Sequence, residues 1–236
     1  LSYHRYTVTT ANPKKELTEL LGNKLPLVLG INRIDTAHIR KGAVLMVPDD
    51  FSDPSIFAPF PEVLPSAYIV PKLMMVSQRV QAFGIYEYGT LVRWGPVSTG
   101  KASTPTPSKL YFTNWKGISV TSTVDDAWVM PWYFNLDNKR GISMHQYDLP
   151  GYPASHACVR LFEDDAIWLY HWAEQWKLSL NGEVVEQYGT PVIIFGSYEY
   201  KNIAPWKKLY ENSNNASIDQ ESMEKVLAGY LPEILR

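Results

Sequence analysis

The one cysteine of the chain, Cys158, stands two residues after His156 and thirteen after His145, in the stretch Gly141-Ile-Ser-Met-His145-Gln-Tyr-Asp-Leu-Pro-Gly-Tyr-Pro-Ala-Ser155-His156-Ala157-Cys158-Val159-Arg160. A thiol reacts as its thiolate, and a free cysteine is mostly protonated at neutral pH, so an imidazole beside it is what a thiol nucleophile needs. If 155–160 is extended, His156 and Cys158 share one face. They would still lie roughly 6–7 Å apart along the strand. His145 would end a preceding strand, and the loop 146–154, with one Gly and two Pro, would return the chain beside it. Directly opposite Cys158 on a neighbouring strand, at about 5 Å between Cβ atoms, His145 is the better placed base.

Other chemistries compete for these residues. A lone cysteine also serves as a small buried hydrophobe. His145, His156, His171 and Cys158 would supply four zinc ligands, but no pair has an H-x-x-x-H or C-x-x-C spacing. His4 and His38 are expected on the surface. The phosphate-loop, dinucleotide, zinc-protease and serine-hydrolase motifs are absent from the sequence. Asp125-Asp126 and Asp164-Asp165 are carboxylates adjacent in sequence, which do not face each other, and helix capping accounts for the second pair.

Composition limits the partners. The 236 residues are 45% hydrophobic, 13% aromatic and 19% charged, enough apolar chain for a large core and too little charge for disorder. The formal net charge is −2 with Lys and Arg scattered, so there is no basic face for nucleic acid. No window of eighteen apolar residues exists, so no transmembrane segment is expected. With one cysteine, an internal disulfide is excluded. The chain starts at Leu1 without a charged-then-apolar leader, and is read as a mature or trimmed chain, with removal of a signal peptide as the expectation.

The elements that must position the cysteine and histidines are mainly strands. Runs at 70–76, 79–86, 90–94, 128–134, 141–145 and 191–195 are β-rich, several alternate apolar and polar residues, and Tyr88-Gly89 reads as a hairpin turn. Two stretches predict helices. Residues 164–176 carry Ala166, Ile167, Tyr170 and Ala173 near helical spacing. Residues 217–231 open on a capping pattern at 217–220 and continue with Met223, Val226, Leu227 and Tyr230. Residues 1–48 read strand (6–9), helix (13–21), helix (26–31), strand (43–47), and the Pro-rich stretch 49–65 reads as a linker. The expected fold class is mainly β with a few helices (α+β). The domains are 1–48, a catalytic domain over 66–200, and a C-terminal extension over 201–236 with its helix at 217–231.

Ser155-His156-Ala157-Cys158-Val159-Arg160 resembles the S-H-G-C-[IV]-R signature of the L,D-transpeptidases, the YkuD-like catalytic domain. Pro96-Val-Ser-Thr-Gly-Lys101 with Thr104-Pro105-Thr106-Pro107 resembles the family's S-T-G-K … T-P-x-G segment. Residues 142–145 resemble the strand delivering its first histidine. Asp165-Ala166 resembles the opening of the helix after the nucleophile, and Gly189-Thr190-Pro191-Val192-Ile193-Ile194 resembles the closing strand. These blocks arrive in family order across residues 66–197. Three departures stand out: Ala157 replaces the glycine before the cysteine, the histidine-to-serine segment is short, and Ser108 replaces a glycine after the Thr-Pro pair.

The resemblance implies a YkuD-like β-rich fold and a peptidoglycan cross-linking enzyme without metal or organic cofactor. Cys158 would be the acyl-accepting nucleophile, His145 the base, and His156 the group that orders the site. Ala157 and Cys158 N–H groups would form the oxyanion hole. Ser155 and Arg160 would hold the loop or bind a donor carboxylate, with a structural ion pair as the other role for Arg160. Trp132 and Tyr133 would line the cleft or serve as ordinary packing. The reaction implied is release of D-alanine from a tetrapeptide stem and transfer of the acyl group to an amine. An L,D-carboxypeptidase using water and a non-catalytic peptidoglycan-binding protein are the alternatives. An extracytoplasmic monomer that carbapenems label is expected.

Residues 1–48 resemble a LysM module through Tyr6-Thr7-Val8, Asn32 and Gly42-Ala-Val-Leu-Met-Val-Pro48, with Thr9-Thr10-Ala11-Asn12 where the family's G-D-T would stand. That resemblance implies glycan binding; a small packing domain is the other reading.

Overall fold

The run Leu73-Met-Met-Val-Ser77 has no polar face, so a strand made from it must be covered on both sides. The computed structural model, which describes residues 1–122 and 127–236, builds the fold around it; Asp125-Asp126 lie outside the described residues. In chain order the elements are β1 (Tyr3–Thr7), α1 (Pro13–Leu21), α2 (Leu25–Asn32), β2 (Val44–Pro48), β3 (Leu73–Ser77), β4 (Ala82–Glu87), β5 (Thr90–Ser98), β6 (Lys109–Phe112), β7 (Lys116–Thr121), β8 (Val129–Asp137), β9 (Ile142–Gln146), β10 (Val159–Leu161), α3 (Glu163–Trp172), β11 (Lys177–Leu178), β12 (Val185–Gln187), β13 (Pro191–Phe195), α4 (Gln220–Ala228) and α5 (Leu231–Ile234). The fold is mainly β, as the strand-rich sequence predicts.

One nine-stranded sheet runs β6-β13-β3-β4-β5-β10-β9-β8-β7. Its pairs are antiparallel except β13 with β3 and β10 with β9. Met74 and Val76 of β3 enter the core that Ala166 and Leu169 of α3 cover. Leu73 and Met75 enter the opposite core, closed by Phe60, Leu64 and by Met223 and Leu227 of α4. Tyr88 and Gly89 both have positive φ, 46° and 75°, as a tight hairpin between twisted strands requires.

Both C-terminal helix expectations need correction. α3 stops at Trp172 rather than 176, because the next residues are tied to the residues bordering β6 and β13: Glu174 N–H donates to Thr190 Oγ1 and Thr113 Oγ1 donates to Glu174 O. α4 is capped by Asp219, which accepts from Ser222 N, and not by Ser217. It ends at Ala228, and Pro232, which has no N–H, sits in the first turn of a separate α5. Helix capping does not account for Asp165 either: α3 has no side-chain cap bond, and Asp165 is buried with Oδ1 bonded by Arg93 Nε and Nη2 at 2.9 and 2.7 Å.

In residues 1–48, β1 and β2 pair antiparallel and enclose Leu17, Leu21, Val28 and Leu45 with the two helices. Asn32 joins α2 to β2: its Nδ2 donates to Val28 O and Met46 O, and its Oδ1 accepts from Met46 N. The stretch 49–65 is packed rather than free, with Phe57, Phe60 and Leu64 buried. One tie between residues 1–48 and the rest of the chain is Arg33, whose guanidinium donates to Val80 O at 2.9 Å and, within its own unit, to Gly30 O and Ile31 O. It lies 5.6 Å from the ring centres of both Trp94 and Trp206. Burial pushes its pKa down to about 9.

Arg33→Ala therefore leaves carbonyls unpaired and a gap between two tryptophans. We expect a loss of about 3–5 kcal/mol of unfolding free energy. The wild-type chain should unfold in urea as one transition across residues 1–236. Separate transitions for the first 48 residues and the rest would show that Arg33 does not couple them.

Candidate active site

The chemistry-bearing residues meet because β9 and β10 run parallel in a set register, Val159 beside Met144 and Arg160 beside His145. Alternation along a strand then sorts the side chains by face. Met144 and Val159 go to the core, while Ser143, His145, Cys158 and Arg160 share the other face and line one cavity or abut it. The register corrects the expected geometry: Arg160, not Cys158, lies opposite His145. Cys158 precedes β10 and reaches Ser143 instead, with Sγ 3.3 Å from Ser143 Oγ. Sγ also donates to Gly141 O at 3.5 Å, which leaves the Ser143 hydroxyl to donate to sulfur.

His145 is 5% exposed. Its Nδ1 lies 2.9 Å from Gln146 O, and a carbonyl only accepts, so Nδ1 carries the proton and Nε2 keeps its lone pair. Burial is the largest influence on the ring and pushes its pKa down to about 4, against the pull of the Gln146 carbonyl. The imidazole is neutral at pH 7.

The stretch 155–158 is not extended. Ala157 has φ of 77°, a left-handed conformation that costs an L-residue roughly 1–2 kcal/mol. Side-chain hydroxyls hold it there. Thr106 Oγ1 donates to Ala157 O at 2.9 Å, and Ser155 Oγ donates to Cys158 O at 2.5 Å. In a trans peptide N–H points opposite to C=O, so the bond from Thr106 aims the Cys158 N–H away from Thr106. Gly100 makes this possible: a Cβ there would overlap Thr104 O and Thr106 N, and its own N–H donates to Thr106 Oγ1. The T-P-x segment thus acts by gripping the backbone at the cysteine.

The remaining candidates divide. His156 is exposed, accepts from Lys101 Nζ at 3.2 Å and packs on Trp128 at 4.9 Å, with no hydrogen bond to Cys158. Arg160 stacks over Tyr147 at 4.5 Å and reaches Asp148 O at 3.4 Å; among the described residues no carboxylate pairs with it. Tyr133 lies nearly parallel to the His145 ring, 6.5 Å between centres, and its hydroxyl accepts from Asn135 Nδ2. Trp132 does not line the cleft. It has φ of 54° and turns to Tyr170 and His171 of α3 at 5.4 and 6.1 Å. That places His171 with Trp132, away from the cysteine, and among the described residues no three His, Cys, Asp or Glu side chains gather as metal ligands.

The cavity is about 390 Å³ and is lined by Cys158, His145, His156, Arg160 and Tyr133 together with Arg140 and Lys139. Sequence reasoning missed Ser143, Gly141 and Tyr147. Ser143 sits two residues before His145, a same-face spacing on a strand, and that was the available signal.

Comparison with known proteins follows the same lines. The family model of the YkuD L,D-transpeptidase catalytic domain matches residues 71–194. No curated protein matches the chain. Among solved structures, an L,D-transpeptidase from Mycobacterium smegmatis is 20% identical, covering 53% of this chain and 59% of that one, with a TM-score of 0.43. One from Stackebrandtia nassauensis is 22% identical, covering 54% and 57%, at 0.43. One from Mycobacterium tuberculosis H37Rv is 19% identical, covering 67% and 74%, at 0.42. The chain thus spans less than two thirds of the first of these structures.

Two outcomes test the local physics. Ala157→Gly relieves the left-handed strain and should hold or raise stability by up to about 1 kcal/mol, whereas Ala157→Val should lower it by several kcal/mol, read from urea midpoints. For His145, the unfolded ring takes its proton near pH 6.5 and the folded ring near 4. Between those values the unfolded chain holds more protons, so stability falls as pH falls, by on the order of 3 kcal/mol in all. His145→Gln should lose less stability than wild type between pH 7 and pH 4.5; equal losses would contradict the burial argument.

Proposed function

Since the chain belongs to the YkuD family of L,D-transpeptidase catalytic domains, we propose that it transfers an acyl group from a peptidoglycan tetrapeptide stem through a thioester on Cys158. The family acts on peptidoglycan; the stem, the leaving group and the acceptor are this reading's own. The observation that carries it is a buried, neutral His145 with Nε2 free of its proton, on the same face of adjacent strands as the cysteine.

In the first half-reaction the Cys158 proton passes to His145 Nε2 and sulfur attacks the carbonyl before the terminal D-alanine. The amide C–N bond breaks, and the proton leaves with the D-alanine amine. In the second, an amine attacks the thioester, gives its proton to His145, and the C–S bond breaks. Cys158 N–H, aimed by the Thr106–Ala157 bond, is the oxyanion donor, with Ala157 N–H beside it; one such donor is worth about 3–4 kcal/mol in comparable sites. Ser143 O–H is placed to donate to the thiolate before the first attack and again when the C–S bond breaks, after which His145 returns the proton to sulfur. Arg160, free of any described carboxylate, is suited to hold a stem carboxylate, and Tyr133 forms the floor under His145. His156 orders the rim through Lys101 and Trp128.

The reading implies an extracytoplasmic site of action; no described helix is long and apolar enough to cross a membrane. A glycan tether in residues 1–48 is a separate proposal. It predicts that soluble glycan oligomers displace the intact chain from insoluble peptidoglycan. Deleting those residues is not a clean test, because the deletion removes Arg33.

Incubation with purified tetrapeptide muropeptides tests the chemistry. The expected outcome is an acyl-enzyme mass on Cys158 and cross-linked dimers; tripeptide alone would assign water as acceptor. Cys158→Ala should reduce turnover at least about a thousandfold. Turnover that survives it would remove the nucleophile assignment.

A further inference from the structure

The loop 147–154 carries His145 just before its start and Ser155 just after its end, and its middle is held by residues more than a hundred positions earlier. Asp35 N–H donates to Leu149 O at 2.9 Å, and Leu149 N–H donates back to Asp35 Oδ2 at 2.8 Å. Ile34 forms a bridge with Pro150, and a Cβ added to Gly151, at φ of 89°, would lie 3.6 Å from the Ile34 side chain. Leu149 is fully buried, so its amide has no water to turn to if Asp35 is lost.

Asp35 is itself fixed. Its Oδ1 accepts from His38 N at 3.1 Å and lies 2.8 Å from His38 Nδ1, which leaves Oδ2 for Leu149. The far half of the loop is gripped from the sheet. Ser98 Oγ donates to Tyr152 O and accepts from Ala154 N, and Ser155 N–H donates to Thr99 O. Between His145 and Tyr152, the hydrogen bonds from outside the loop's own flanking strands come, among the described residues, from Asp35.

We propose that Asp35 is a positioning residue for the thiol site: through Leu149 it fixes the loop that sets His145 and Cys158 relative to each other. Residues 1–48 are on this view part of the catalytic architecture, whatever polymer they bind. The inference rests on the reading of Cys158 as nucleophile, and it predicts a coupling that a glycan tether alone would not produce.

The test uses the full chain and no substrate. Wild type, Asp35→Ala, Asp35→Asn and a control, Asp53→Ala, are compared. Asp53 caps a short turn through Ser55 in the same way but lies outside the loop contacts. Leu149 amide exchange and the rate of Cys158 alkylation by iodoacetamide from pH 5 to 9 are measured. Asp35→Ala should speed Leu149 exchange about tenfold and slow alkylation at pH 7 about fivefold, the factor that loss of one net hydrogen bond produces. Asp35→Asn keeps one acceptor oxygen, so its effect should be smaller, and it carries the comparison if Asp35→Ala does not fold. Alkylation unchanged from wild type while Leu149 exchange speeds up would overturn the proposal. So would an equal slowing in Asp53→Ala. A failure of the nucleophile reading shows itself elsewhere, as turnover surviving Cys158→Ala.

Discussion

Two adjacent parallel strands must be joined by a crossover, commonly a helix of a dozen residues or more. Between β9 and β10 the chain has residues 147–158, twelve positions, and no helix forms there. The site is a consequence of that missing helix. An irregular return must bend where its contacts require, and the bend falls at Ala157, in a conformation an alanine does not choose. A loop with no ladder of its own must borrow partners: hydroxyls of Ser98 and Thr106, the carbonyl of Thr99, the carboxylate of Asp35. In exchange for this tension, the crossover delivers an imidazole at one end and a thiol at the other onto one face.

The electrostatics of the cleft follow from which groups are wet. His145 is buried and has one nitrogen committed to a backbone carbonyl, so its other nitrogen is a neutral acceptor at any pH above about 4. The cations Arg160, Lys139 and Arg140 line the same cavity, with no carboxylate among its described lining residues. Those described cations make this face of the cavity favourable for an anionic ligand.

Much of this was legible before any coordinates. The β-rich runs became strands with ends shifted by a few residues, because alternation and turn residues are local signals. Residues 13–21 became α1 as expected, with Asn12 at its N-cap and Pro13 at its start. The cysteine–histidine grouping was visible in spacing and motif. What stayed hidden depended on partners far along the chain. Nothing near His145 says that its strand pairs parallel with β10, so the residue opposite it was misassigned. Trp132 sits in an apolar strand, but its positive φ sends the ring to α3, and strand alternation carries no sign of that. Asp165 looked like a cap because it opens a helix, yet its partner Arg93 lies on β5, seventy-two residues earlier.

Arg33 carries a consequence for how such a chain can change. Its guanidinium is held by carbonyls from two parts of the chain and lies between tryptophans from two others. A unit joined this way cannot be exchanged by recombination as a bead on a string. A donor segment grafted in its place would have to bring a cation at that position, and the recipient would have to keep Trp94 and Trp206 to receive it. Lineages that shuffle this segment should therefore inherit the three residues together or lose all three.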